Sequence, residues 1–98
     1  MIRHVVLLKW KPDTSAADIE ALCAALSELP QLVPTIVDYS YGPDLASAPT
    51  NFDFAVSAVF HDLDGYITYR DHPDHVRVVQ ACIAPHLAER AAVQFTCD

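Results

Sequence analysis

Glycine is nearly absent: Gly42 and Gly65 are the only two in 98 residues. A loop that cradles phosphates needs several glycines close together, so no nucleotide cofactor is expected, and no motif calls for a cofactor of another kind. Basic residues are also few. Six Lys and Arg are scattered among thirteen Asp and Glu, for a net charge of −7 and a pI near 4.9. That balance argues against nucleic-acid binding and against an anionic membrane surface. No apolar run reaches the roughly 20 residues of a membrane span, and no signal peptide is expected before Ile2. Cysteine is limited to Cys23, Cys82 and Cys97, an odd number without a CxxC pair. Reduced thiols and a cytoplasmic location are the simple expectation.

What the chain has in quantity is apolar surface. Hydrophobic residues make up 52% and charged residues only 19%, far from a disordered composition. A single folded domain over residues 1–98 is expected. The apolar content is high for so small a body, which implies a second apolar surface beyond the core.

Residues Ile2 to Lys11 read as a strand, with Ile2, His4, Val6, Leu8 and Trp10 on one face and Arg3, Val5, Leu7, Lys9 and Lys11 on the other. Thr14 or Ser15 caps a helix, with Asp18 at capping-box distance from Ser15. Ile19, Leu22, Cys23, Leu26 and Leu29 form its amphipathic stripe, and Pro30 and Pro34 are expected to close it. Ile36 to Tyr41 reads as a second strand, then a loop from Gly42 to Asn51, and Phe52 to Phe60 as a third strand. Asp62 caps the next helix, whose inner face carries Leu63, Tyr66 and Ile67. A restart at Pro73 places Val76, Val79 and Ile83 at helical spacing. Pro85 breaks the chain, and Ala91 to Cys97 is the last strand. The order βαββαβ predicts an α+β, ferredoxin-like domain: a four-stranded antiparallel sheet with helices on one face. The uncovered face, carrying Val5, Leu7 and Val59, predicts a homodimer formed sheet against sheet.

Chemistry concentrates in Tyr69-Arg70-Asp71-His72-Pro73-Asp74-His75. Pro73 suits the first turn of a helix and breaks the middle of one. One helix therefore ends near Arg70 and another starts at Pro73, capped by His72 or Asp71. His75 falls in the new first turn, where the positive end of the helix dipole disfavours imidazolium. A neutral histidine is a general base near pH 7, and a tyrosine hydroxyl can donate to a developing oxyanion. The break at Pro73 leaves open whether Tyr69 and His75 face each other. A metal site is not expected. His72 and His75 are three apart and Asp71 and Asp74 are near, but Pro73 disturbs the geometry and no third ligand is placed by spacing. His61 and His86 read as surface residues, and Trp10 and Tyr66 as packing residues. Val6, Leu8, Ile19, Cys23, Leu26, Phe54 and Val56 lie on inner faces and read mainly as core. They line a pocket only where the helices stand off the sheet near His4 and Tyr69.

The Tyr-x-x-His-Pro-x-His motif resembles the stress-responsive A/B barrel family, the Dabb or dimeric α/β barrel domain. The opening Met1 to Lys11, the Tyr41-Gly42-Pro43-Asp44 turn and the closing Ala92-Val93-Gln94-Phe95 extend the resemblance to essentially the whole chain. It implies the ferredoxin-like fold and its pairing into a dimeric α/β barrel. More distantly, the motif is similar to plant polyketide cyclases of the olivetolic acid cyclase type. That similarity implies a base at His75, its catalytic partner at Tyr69, and a pocket histidine at His4. Phe54 stands where the cyclase type has a further histidine.

The expected function is therefore a small-molecule binding protein or cofactor-independent enzyme, acting on an apolar or carbonyl ligand by polyketide-cyclase-like acid–base chemistry. His75 and Tyr69 are the catalytic candidates. His4, Val6, Leu8, Phe54, Val56 and His72 are the binding candidates. Two other readings stay open. One is a non-catalytic homodimeric stress-response or structural protein with a filled interior. The other is a cofactor-free monooxygenase, because antibiotic-synthesis monooxygenases share the dimeric barrel.

Overall fold

The computed structural model describes residues 1–98. Four antiparallel strands form one open sheet in the order β2-β3-β1-β4. They are β1 (Ile2–Trp10), β2 (Asp38–Pro43), β3 (Phe54–Phe60) and β4 (Leu87–Thr96). The helices are α1 (Ala16–Leu32), α2 (Leu63–Asp71) and α3 (Pro73–Val78). This is the expected ferredoxin-like arrangement. No helix is long and apolar enough to cross a membrane.

The capping box at the start of α1 forms as its sequence dictates. Ser15 Oγ accepts from the Asp18 N–H at 3.2 Å, and the Ser15 N–H donates to Asp18 Oδ2 at 2.9 Å. Pro30 does not end the helix. Its ring costs one backbone bond, yet the chain stays helical to Leu32, and the Val33 N–H closes on the Leu29 carbonyl at 2.9 Å. Tertiary burial outweighs the lost bond: Leu22, Leu26, Leu29 and Val33 are all buried against the sheet.

Other boundaries also shift. The second strand begins at Asp38, and the third at Phe54. The last strand begins at Leu87, four residues before Ala91, because it pairs with β1 out to Trp10 through a bulge. Its early part carries Glu89 and Arg90, charges suited to an exposed edge strand. The buried face of α2 is centred on Gly65 and Tyr69, while Leu63 is exposed. Asp62 caps it as expected, accepting from the Gly65 N–H at 2.8 Å.

The core lies between the helices and the inner sheet face, around Leu8, Phe54, Val56, Ala58 and Phe60. Strand alternation and the pairing register put His4, Val6, Leu8, Arg90 and Gln94 on this inner side. Val5, Leu7, Ala91, Val93 and Phe95 face the other way. On that open face Leu7, Val93 and Phe95 are exposed, whereas Val59 is already buried within the single chain.

Candidate functional site

The site is built on the junction between α2 and α3. His72 closes the first helix and opens the second, with φ −62° and ψ 133°. Its Nδ1 accepts from the Asp74 N–H at 3.1 Å, so the N-cap is His72 and not Asp71. Pro73 occupies the first position of α3, where its missing N–H costs nothing. After Val78 the chain continues as one π-helical turn (Val79–Ile83) and a short 3₁₀ turn (Ala84–His86). This segment stands off the sheet and leaves a cavity of about 360 Å³.

Of the predicted site residues, His4, Val6, Leu8, Val56, Tyr69 and His75 line that cavity. Phe54 and His72 do not. Phe54 is fully buried in the core, its ring 5.9 Å from Trp10, and His72 is occupied in capping. Tyr66 is more than a packing residue. It borders the cavity, and its ring lies 4.7 Å from that of His4. Arg70, Arg90 and Gln80 add the wall's other polar side chains.

The two cavity histidines have opposite hydrogen-bonding sense. His4 is buried, and its Nδ1 accepts from Gln94 Nε2 at 3.0 Å. The ring proton of neutral His4 therefore sits on Nε2. Burial, with help from the positive charges of Arg90 and His75, pushes the His4 pKa down to about 4. His75 is half-buried, and its Nδ1–H donates to the Arg70 carbonyl at 3.0 Å. That carbonyl belongs to the last turn of α2, where helix geometry leaves acceptors free. Nε2 of His75 is left as the unprotonated ring nitrogen. Burial lowers the His75 pKa, the Arg70 carbonyl works against this, and nearby His72 and Arg90 lower it further. At neutral pH His4 thus offers an N–H and His75 a lone pair.

Tyr69 and His75 do meet. Their ring centroids are 4.1 Å apart at an interplanar angle of 35°. The Tyr69 hydroxyl, however, is hydrogen-bonded to the Tyr39 hydroxyl at 2.8 Å. Burial pushes the Tyr69 pKa up to about 12 and raises that of Tyr39 as well, so both stay protonated. No spacing rule links Tyr39 to Tyr69, and the sequence offered no signal for this pair. Gln94 and Arg90 were equally hidden. Only the β1–β4 register, which sets His4 opposite Gln94 and Leu8 opposite Arg90, brings them to the site. Nowhere in the chain do three or more His, Cys, Asp or Glu side chains gather in a way that would hold a metal ion.

Fold and site define a ferredoxin-like α+β domain with an apolar, histidine-bearing cavity between its sheet and its second helical segment. The family model of the stress-responsive A/B barrel domain, Dabb, matches residues 2–97, and the chain belongs to that family. It is 29% identical over 99 residues to a stress-response A/B barrel domain-containing protein of Arabidopsis thaliana, covering 100% of this chain. It spans only 37% of the length of that relative. A dimeric ferredoxin-like protein of Thermobifida fusca, of unknown function, is 44% identical with a TM-score of 0.90, over 98% of this chain and 90% of the other. A hydroxynitrile lyase from Passiflora edulis is 18% identical with a TM-score of 0.84, over 99% of this chain and 93% of the other, a likeness of fold.

Proposed function

We propose that the cavity is the site of cofactor-independent acid–base chemistry on a small, largely apolar carbonyl compound. The observation that carries this reading is the pair of neutral imidazoles, one donor and one acceptor, lining one cavity, His4 from the sheet and His75 from the helical side. His75 Nε2 takes the proton from the carbon beside the carbonyl. The C–H electron pair becomes the enolate, and its oxygen receives a hydrogen bond from His4 Nε2–H. With a second carbonyl in the same molecule, the enolate carbon attacks it to form a C–C bond, and His75 returns its proton to the new alkoxide. Tyr69 holds the base by ring stacking, and its hydroxyl, paired with Tyr39, is a further proton donor at the cavity wall. A cavity of this size falls in the range of small-molecule sites, which favours ligand chemistry over a purely structural role.

The same reading includes assembly. Two copies pair through the open sheet face, which leaves the cavity free on the opposite side. The dimeric Thermobifida fusca relative supports this assignment.

Carbon-bound proton exchange tests the chemistry without knowledge of the natural substrate. In D₂O, β-keto esters and thioesters of medium chain length are followed by NMR with and without protein. The parent should accelerate exchange beside the carbonyl, and His75→Ala should lose about a hundredfold to ten-thousandfold of that acceleration. Equal rates in parent and His75→Ala would remove His75 as the base and leave a binding protein.

A further inference from the structure

We infer that Arg90 makes the cavity a carboxylate receptor, so that its ligand is an apolar molecule carrying a carboxylate. The inference rests on the cavity being a small-molecule site, and it names the class of molecule.

Three arginines are engaged by acidic side chains. Arg3 lies 4.0 Å from Asp38, Arg70 forms a fork with Asp71 at 2.8 and 3.0 Å, and Arg77 binds Asp74 at 2.6 Å. None of the thirteen Asp and Glu reaches the guanidinium of Arg90. Arg90 is exposed, on the edge strand of the sheet. Arg90 pairs with Leu8 across the β1–β4 ladder, on the side that faces the cavity, and it borders the cavity itself. Arg70, the other cationic side chain of the wall, is neutralised by Asp71. Of the 17 residues that line the cavity, 12 are hydrophobic.

A planar guanidinium on the wall of an apolar cavity matches one carboxylate, bound through two parallel N–H···O bonds. A phosphate, with up to two charges, asks for more donors than this wall supplies.

The test uses octanoate and its neutral counterpart octanamide, titrated into the full chain at pH 7.5 and followed by the ring-proton NMR signals of His4 and His75. The parent should bind octanoate about tenfold to a hundredfold more tightly than octanamide. Arg90→Gln should erase that preference, chiefly by weakening octanoate binding. Arg90→Lys, which keeps the charge without the fork, should retain part of it. Equal affinity of the parent for both probes, or a preference that survives Arg90→Gln, overturns the carboxylate assignment while the cavity stands as a small-molecule site. If neither probe perturbs the histidine signals, both the cavity assignment and the carboxylate assignment fall.

Discussion

The hydroxyls of Tyr39 and Tyr69 lie 2.8 Å apart and tie the strand β2 to the helix α2 across 30 positions of sequence. Tyr69 is buried, Tyr39 packs edge-on against it at 6.0 Å, and its ring also meets that of His75 at 4.1 Å. One hydrogen bond thus links the sheet to the ring that supports the proposed base. One hydroxyl donates and the other accepts, which offsets part of the cost of placing two phenols in the interior.

Tyr39→Phe should therefore destabilise the protein by about 1–3 kcal/mol, because the Tyr69 hydroxyl is left without its partner. The double variant Tyr39→Phe with Tyr69→Phe should cost clearly less than the sum of the single changes. Urea denaturation of the four proteins measures the coupling. Strict additivity would show that the bond carries no net weight in solution.

His72 has a different task from His75 three positions on. His72→Ala removes the acceptor of the Asp74 N–H and should lower stability by about 0.5–2 kcal/mol, with little effect on deuterium exchange into a bound carbonyl compound. His72→Asn, another capping side chain, should restore most of the loss. Thermal unfolding beside exchange kinetics separates the two roles. A large kinetic defect in His72→Asn at full stability would place His72 in the chemistry.

Most of the architecture was legible because local signals agreed with the fold. The Ser15–Asp18 box, the Leu22–Leu26–Leu29 stripe and the Pro73 restart each act through near neighbours in sequence. Cavity residues on β1 were legible for the same reason, since alternation alone puts His4, Val6 and Leu8 on one face. What stayed hidden depends on pairing between distant segments. Gln94 fixes the His4 tautomer only through the β1–β4 register, and Tyr39 reaches Tyr69 only through packing. Pro30 misled in the other direction, because burial of Leu29 and Val33 holds the last turn of α1 against a residue that usually ends helices.

Acid should weaken the fold through its histidines. His4 has a folded pKa of about 4 against 6.5 for a free side chain. The unfolded chain binds the proton first, so the contribution is fully present above about pH 6.5 and is lost as pH falls towards 4. At about 1.4 kcal/mol per pH unit the loss from His4 is at most about 3 kcal/mol. His75, also lowered, acts in the same sense. Denaturant unfolding from pH 7.5 to 4 should show this slope in the parent and a shallower one in His4→Gln. An unchanged slope would mean that His4 is not held neutral.

The open sheet face supplies the last test. Leu7, Val93 and Phe95 are 36%, 58% and 49% exposed, and they lie on the adjacent strands β1 and β4. Val5 stands directly opposite Val93 in the ladder, which makes the apolar surface continuous. Burial of such a patch against a second copy is favoured by roughly 25 cal/mol per Å² of apolar surface, and a two-fold axis brings the same residues together from both chains. Light scattering at micromolar concentration should give twice the 10.8 kDa chain mass. Leu7→Asp would bury an unpaired charge in that interface and should dissociate or unfold the protein. Val93→Glu introduces charge on the exposed edge strand and should give monomers that keep the parent circular dichroism. Because the cavity opens on the other face, these monomers should still bind octanamide with little change in affinity. A parent that scatters as a monomer would overturn the dimer, whereas loss of octanamide binding in the Val93→Glu monomer would show that the cavity needs the second chain.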